Sequence, residues 1–427
     1  MNAKVKLTIL NFLEFAVWGA YLTSMGNYLA SVGMAGQIGW FYSVQGFVSL
    51  FMPALMGIVA DRWIEAQRLL SLSHLLAGAF MLAACVYGTQ AGGAVRFAPL
   101  FALYTLSVAF YMPTIALSNS VAYSALDQAG LDTVKAFPPI RVFGTVGFII
   151  SMWIVDLGGM QSTPMQFGWS GLLGIVLAAY AFTMPRCPIS KGARKSLADA
   201  LGLKAFSLFR NYRMALFFIF SMFLGVCLQI TNGFANPFIT SFGSIAEFQD
   251  TFGVRHANIL ISLSQVSETL CILLIPFFLK RFGIKRVMLL AMLAWVLRYL
   301  FFAVGNPGSG VVWFVLSMIV YGVAFDFFNI SGSLFVDKET SLDIRNSAQG
   351  LFMMMTNGFG ATIGTLSAQQ VVNHYVFDLG AGADPMAVWQ GWNTCWYIFA
   401  GYALVVAVAF ALMFRYKHVP GDGKALD

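Results

Sequence analysis

The sequence predicts an all-α membrane protein whose helices cross the bilayer about twelve times. Hydrophobic residues make up 59% of its 427 residues and charged residues only 10%, whereas a soluble domain contains about 25% charged residues. The apolar runs are about 20 residues long, which suits helices that span a membrane and exceeds the length of β-barrel strands. Short connections rich in glycine, asparagine or charge separate these runs.

Twelve apolar segments define the predicted spans. They lie at about 7–31, 38–60, 69–89, 97–124, 137–157, 167–185, 213–241, 257–279, 286–304, 311–336, 347–375 and 390–414. Glu14 interrupts the first segment, and no small-residue cleavage site follows it closely. We therefore expect this segment to be a retained span and not a signal peptide.

Basic residues are concentrated on one side of the predicted membrane. If the N-terminus is assigned to that side, the opposite side carries only Arg96 and Arg255. Because cytoplasmic loops carry an excess of Lys and Arg, we expect both termini to be cytoplasmic. The net charge of +7 then reflects this asymmetry and does not indicate binding of nucleic acid.

The longest connection, residues 186–212, divides the chain into two halves. It is basic and contains SLADALGLKAFSLF, which has the pattern of an amphipathic helix at the inner membrane surface. We expect a six-helix bundle on each side of this linker, at residues 1–185 and 213–427. The two halves are weakly similar at matching positions, since GIVADRW follows the second span and LKRFGIKR follows the eighth. Two such pseudo-symmetric halves describe the major facilitator fold.

The tenth span carries an acid within an apolar run. Asp326 lies in the segment YGVAFDFFNISG, and a carboxylate at this depth requires a function or a partner. At about 100° per residue, one helical face next to Asp326 carries Tyr321, Phe325, Phe328 and Asn329. Aromatic walls beside an acid and an amide suit a planar, polar, uncharged ligand. The alternative is that Asp326 pairs with a buried arginine and joins two helices.

The seventh and eighth spans each carry a polar face. These faces contain Gln229, Asn232, Gly233 and Asn236 in one span, and Ser262, Gln265, Glu268 and Thr269 in the other. Amides of this kind either join neighbouring helices or line a cavity, and their stripe beside glycine favours the cavity. Glu268 and Asp326 are both candidate proton carriers. The alternative for Glu268 is a permanently protonated side chain that forms a fixed hydrogen bond. We expect Pro237 to break or kink the seventh span.

Three further charged residues lie in other spans. The paired prolines of FPPIRVFGTVGF should begin the fifth helix and place Arg141 and Thr145 one turn apart. Arg141 stays charged, so it needs a carboxylate, a ligand oxygen or water, unless it extends to the cytoplasmic interface. Glu14 in the first span is a third candidate acid. We expect Arg298 to snorkel or to form an ion pair, without a role in transport.

Motifs of enzymes are not found. The sequence lacks HExxH, GxSxG and GxxxxGK[ST] patterns. Its five cysteines have neither metal-ligand spacing nor the pattern of a disulfide framework. We expect no catalytic residue, no metal and no cofactor, and an ion gradient as the source of energy.

Long motifs also carry a resemblance to a known family. They include FMPALMGIVADRW, FPPIRVFGTVGFIISMW, LQITNGFAN, SQVSETLCILLIPFFLKRFGIK and SMIVYGVAFDFFNISGS. Nearly end to end, the chain resembles the bacterial nucleoside–proton symporters of the major facilitator superfamily. The resemblance implies a monomeric importer in the lipid bilayer of the bacterial inner membrane. It implies H⁺ as the coupling ion, no other cofactor, and purine and pyrimidine nucleosides such as uridine, adenosine and cytidine as substrates.

The resemblance also implies the substrate-binding positions. These are Arg141, Thr145, Gln229, Asn232, Gln265, Glu268, Tyr321, Phe325 and Asp326, of which Glu268 and Asp326 are the acids closest to proton coupling. Glu14 departs from the family, where a well-known member has an uncharged polar residue, and this leaves open an extra protonatable site or a shifted substrate range. Two alternatives stay open for the function: a carrier of another polar solute, such as a sugar or nucleobase, and a nucleoside sensor that does not transport.

Overall fold

The computed structural model describes residues 2–187, 203–341, 344–380 and 382–416, without the side chains of Asp61, Arg62, Val134 and Asn346. Within these ranges, helices are the only regular secondary structure. The chain divides into two compact units, Met1–Leu201 and Gly202–Asp427. Part of the predicted linker, residues 188–202, lies outside the described residues, and Leu203–Arg210 forms a 3₁₀ helix.

The first unit contains eight α-helices among its described residues. They are α1 (Ala3–Gly19), α2 (Met25–Ser31), α3 (Ile38–Ser49), α4 (Met52–Arg62), α5 (Ala66–Ala91), α6 (Phe97–Gln128), α7 (Thr133–Leu157) and α8 (Met165–Ala181). Helix α1 packs against α6, α7 and α8, and α5 packs against α6 and α8. Buried serines join these helices: Ser71 donates to the carbonyl of Ala178 at 2.7 Å, and Ser107 donates to that of Ala77 at 2.8 Å. Such bonds between apolar helices satisfy hydroxyl groups that have no water to bind.

The second unit contains the remaining α-helices. They are α9 (Tyr212–Ser241), α10 (Phe252–Arg255), α11 (Ala257–Val304), α12 (Val311–Glu339), α13 (Arg345–Met353), α14 (Ala361–Tyr375) and α15 (Pro385–Met413). A π-helical segment, Met354–Gly360, joins α13 to α14. Helix α11 packs along α12 and α15, and α9 packs along the π segment and α14.

Each predicted span overlaps a helix of the structure. Seven described helices are long and apolar enough to cross a membrane, and an eighth span results if α3 and α4, bent by 41°, are counted together. The 48 residues of α11 cover the predicted eighth and ninth spans, and Gly283 interrupts them with φ 74° and ψ 166°. Only glycine adopts this backbone conformation readily, so Gly283 marks the turn between the two spans. The total of twelve spans stays a prediction.

One expectation about prolines is wrong, and at Pro237 the helix is not broken. Helix α7 begins at Thr133 and contains Pro138 and Pro139, so the prolines do not start it. Only the first four N–H groups of a helix lack a partner within it, and Pro138 and Pro139 lie beyond them, at the sixth and seventh positions of α7. Helix α9 continues through Pro237, and the Thr240 hydroxyl bonds the Asn236 carbonyl at 2.8 Å beside it.

Close packing of α9 against the π segment and α14 depends on small residues. A Cβ atom added at Gly360 would lie 2.5 Å from the carbonyl oxygen of Met222, and one at Gly364 would lie 2.5 Å from Val226 Cα. Both neighbours are backbone atoms, which cannot move aside without shifting a helix.

Gly364→Ala is therefore expected to destabilise the second unit by about 1–3 kcal/mol through overpacking. The measurement is thermal unfolding of the purified protein in detergent. Gly401→Ala is the matched control, because Gly401 also lies in a helix and a Cβ there meets nothing within 4 Å. Equal melting temperatures for the two variants would contradict this packing.

Candidate functional site

An aromatic pair forms one wall of the candidate site, on α12. The rings of Tyr321 and Phe325 are stacked, with centroids 5.7 Å apart and planes only 3° from parallel. Tyr321 is buried and Phe325 is partly exposed. The two residues are one helical turn apart, so the helix itself holds the rings in register. The flat face of Phe325 is available for stacking with a planar group.

Asp326 lies next to this pair and is only 5% exposed. Its Oδ2 atom has no hydrogen-bond partner among the residues that the structure describes. Asp326 interacts electrostatically with Glu268 of α11, and both acids interact with Tyr321. The alternative that Asp326 pairs with a buried arginine finds no support, since no described ion pair includes it. A buried carboxyl oxygen without a partner is costly unless it is protonated or bound by a ligand.

Arg298 differs from the expectation that it snorkels or forms an ion pair. It is 2% exposed, and its Nη1 donates to the carbonyl of Ser317 at 2.7 Å and to the Ser264 hydroxyl at 3.3 Å. Its guanidinium lies 4.6 Å from the centroid of the Tyr321 ring. A cation–π contact with Tyr321 and a hydrogen bond to a backbone carbonyl take the place of a carboxylate partner. Arg298 therefore supports the Tyr321 ring of the stacked pair.

The predicted polar face of α9 serves two different purposes. Gln229 and Asn232 bond each other, with the Asn232 amide donating to Gln229 Oε1 at 2.9 Å. Asn236 instead donates to Asn258 of α11 at 2.9 Å, and both are fully buried. Asn236 therefore joins helices, as the alternative interpretation states. On α11, Gln265 is partly exposed and its Oε1 is buried without a hydrogen-bond partner in the described part of the chain.

A partly open pocket lies beside Phe325, within the second unit. Its lining includes Leu228, Trp295, Phe325, Phe328, Asn329 and Asn357. Asn357 belongs to the π segment, which widens the helix locally and turns an amide toward the cavity. Single π turns within α-helices occur often at functional sites. The cavity thus combines aromatic faces with two amides.

In the first unit, Arg141 lies over the ring of Phe15, with 3.8 Å between the guanidinium carbon and the ring centroid. It is half-buried and forms part of α7, as does Thr145 one turn later. Glu14 is fully buried and bonds His74 of α5 at 2.8 Å. Helical periodicity reveals neither His74 as the partner of Glu14 nor Trp295 as part of the site, because each is distant in sequence from the residues that it contacts. Within the described ranges, no three or more His, Cys, Asp or Glu side chains are placed to hold a metal ion.

Comparisons with known proteins identify the family and the fold of the chain. The model of the family "Nucleoside H+ symporter" matches residues 1–419. The chain is 47% identical to the xanthosine permease of Escherichia coli over 98% of both chains. It is also 47% identical to the nucleoside permease NupG of Escherichia coli, over 98% of this chain and 97% of NupG.

A crystal structure of the nucleoside transporter NupG aligns with a TM-score of 0.87 and 46% identity, over 98% of this chain and all of that chain. The expected all-α major facilitator fold is thereby confirmed. The matching proteins are transporters and not enzymes. With nearly its whole length covered by the family model, this chain belongs to the nucleoside H⁺ symporter family.

Proposed function

We propose that this chain imports nucleosides together with protons across the bacterial inner membrane, by alternating access. The observation that carries the proposal is the site on α11 and α12. A stacked aromatic pair lies beside buried Asp326, whose Oδ2 atom has no hydrogen-bond partner among the described residues, and the same holds for Oε1 of Gln265 on α11. A nucleoside has a planar base for the aromatic face and hydroxyl or N–H donors for such acceptors. Its binding would satisfy atoms that are otherwise costly to bury.

We propose that protonation of Asp326 or Glu268 accompanies binding. Two acids that interact within an apolar environment disfavour each other's charged forms, so a proton shared by the pair removes a buried charge. Neutralisation of the acid favours the substrate-loaded state, which can close around the substrate and open to the other side of the membrane. Release of the proton on the cytoplasmic side restores the charge and weakens substrate binding.

The proposed organisation follows the sequence analysis. Twelve spans form six-helix bundles at residues 1–185 and 213–427, which the linker 186–212 connects, and both termini are cytoplasmic. Arg141 and Thr145 of the first bundle, with Gln229 and Asn232 of the second, complete the proposed set of substrate contacts. The chain acts as a monomer in the lipid bilayer. Because a xanthosine permease and NupG are equally similar to it, we include purine and pyrimidine nucleosides among the proposed substrates.

Uptake of labelled uridine into proteoliposomes tests the proposal directly. Accumulation above equilibrium that requires an inward proton gradient and collapses with a protonophore is the expected result. Equilibration without accumulation would indicate a uniporter. In the absence of uptake, competition by sugars and nucleobases would identify a different solute, and binding without flux would identify a sensor.

Discrimination at the ribose is a prediction of the same site. Unlabelled 2′-deoxyuridine is expected to compete with uridine at least about fivefold less well, and uracil is expected to be weaker still. The reason is that an analogue without a donor leaves buried polar atoms unpaired, at about 1–3 kcal/mol for each atom. Competition curves against labelled uridine measure this preference. Equal inhibition by uracil and uridine would show that the ribose is not bound.

A further inference from the structure

A buried acid–histidine pair lies in the first unit, apart from the nucleoside site proposed on α11 and α12. Glu14 of α1 and His74 of α5 are both 0% exposed. Glu14 Oε2 lies 2.8 Å from His74 Nε2, and Glu14 Oε1 lies 2.6 Å from the hydroxyl of Thr114 on α6. Both carboxyl oxygens therefore have hydrogen-bond partners, which distinguishes Glu14 from Asp326.

The partners of Glu14 suit both of its protonation states. An ionised Glu14 accepts hydrogen bonds from the Thr114 hydroxyl and from the Nε2–H of neutral His74. A protonated Glu14 donates from Oε1 to the Thr114 hydroxyl, while its Oε2 still accepts from the Nε2–H of neutral His74. The Thr114 hydroxyl also lies 2.5 Å from the carbonyl of Tyr111, so it is able to turn its single proton away from Glu14. An acid that changes its protonation state needs a partner that can either donate or accept a hydrogen bond. An acid that stays charged or stays neutral does not need such a partner.

The other side of His74 limits the number of protons that the pair holds. His74 Nδ1 is buried and has no hydrogen-bond partner among the described residues. An imidazolium would place an N–H at that position without an acceptor, and a buried donor without a partner is costly. The pair therefore favours two totals, a net charge of −1 and a net charge of zero, which differ by one proton.

Groups on the neighbouring helices set the charge balance of this pair. On α6, the Tyr111 hydroxyl donates to the backbone carbonyl of Glu14 at 2.8 Å, and Tyr111 interacts electrostatically with Glu14, Arg141 and Tyr21. On α7, Arg141 lies over Phe15, the residue after Glu14. Helix α8 carries no Asp, Glu, Lys, Arg or His. Arg141 is thus the cation of α7 that lies nearest in these contacts, against the ring next to Glu14 in the chain.

We propose that Glu14 and His74 form a second proton-binding site, in the first unit, which takes up and releases one proton at the Glu14 carboxyl group beside a neutral His74. Loss of the proton leaves a negative charge on Glu14, and uptake removes it. The inference concerns proton binding alone and holds whatever solute the chain carries.

Infrared difference spectra of the purified full-length chain, recorded between about pH 5.5 and about pH 8.5, test this site. The chain contains five glutamates, and labelling them with ¹³C separates their bands from those of aspartate. The wild-type spectrum is expected to show a glutamic acid C=O band at low pH that disappears at high pH. Glu268 is also a proposed proton carrier, so spectra of Glu268→Gln are recorded to identify its part of the band. Glu14→Gln is expected to lose the component that remains in Glu268→Gln. Glu247→Gln, which changes an exposed glutamate, is expected to keep it.

His74→Gln provides the second test and covers the case in which Glu14→Gln does not fold. It retains the carboxyl group and removes its titratable partner, so the midpoint of the glutamate band is expected to move along the pH axis. Identical difference spectra for wild type and Glu14→Gln would overturn the proposal, as would a midpoint that His74→Gln leaves in place. Neither spectrum requires nucleoside or transport, so these outcomes are independent of the uptake assays.

Discussion

Proteoliposomes with Asp326→Asn are expected to equilibrate uridine without accumulating it, and Glu268→Gln is expected to weaken or abolish accumulation in the same way. Each amide keeps the shape of the acid but cannot release a proton, so the cycle loses its link to the proton gradient. Asp326→Asn also places a neutral group where the buried Oδ2 lacks a partner, so the variant should fold. The measurement is the ratio of internal to external uridine under an inward proton gradient.

Asp378→Asn is the matched control for this experiment. Asp378 is exposed and lies in a short 3₁₀ helix between α14 and α15, so its amide should accumulate uridine like wild type. Exchange of labelled for unlabelled uridine across the bilayer shows whether a variant still binds and moves substrate. If both Asp326→Asn and Glu268→Gln accumulate uridine normally, neither acid couples transport to protons.

Phe325→Ala is expected to raise the KM for uridine by about 5- to 150-fold. The estimate follows from base–aromatic stacking, which contributes about 1–3 kcal/mol when judged by alanine substitution. Tyr321 stacks on one side of Phe325 and Arg298 supports Tyr321, so the ring is held in place before the substrate arrives. This preorganisation should make the loss upon truncation large. Initial rates of uptake over a range of uridine concentrations measure the KM.

Phe277→Ala and Phe325→Tyr are the control variants for this experiment. Phe277 lies on α11 and is 61% exposed, so its truncation should leave the KM unchanged. Phe325→Tyr keeps an aromatic face and is expected to retain a KM close to that of wild type. A wild-type KM in Phe325→Ala would show that the base does not stack on this ring.

Helical periodicity predicts much of the candidate site within a single helix. Tyr321 and Phe325 are one helical turn apart, so helix geometry alone places their rings next to each other on one face of α12. The same argument pairs Gln229 with Asn232. It fails for Asn236, which lies on the same stripe but bonds Asn258, because the partner of a side chain on α9 depends on how α11 packs against it.

The prolines show a similar limit of prediction from local sequence. The local signals predict a helix start at Pro138 and Pro139 and a break or kink at Pro237, yet α7 begins earlier and α9 continues. A proline removes one backbone donor, and a helix packed among other helices continues in spite of that loss. Local propensity alone does not reveal the packing that holds such a helix together.

The sequence by itself determined that the chain is an all-α membrane protein, where its apolar segments lie and which family it belongs to, because composition, helical period and long motifs are local properties of the chain. Only the tertiary structure decided the partners of the buried charges. Glu14 meets His74 across 60 positions of sequence, and Arg298 rests on Tyr321 instead of forming an ion pair. The free energy of a buried charge depends on the atoms packed around it, and those atoms come from helices far apart in sequence.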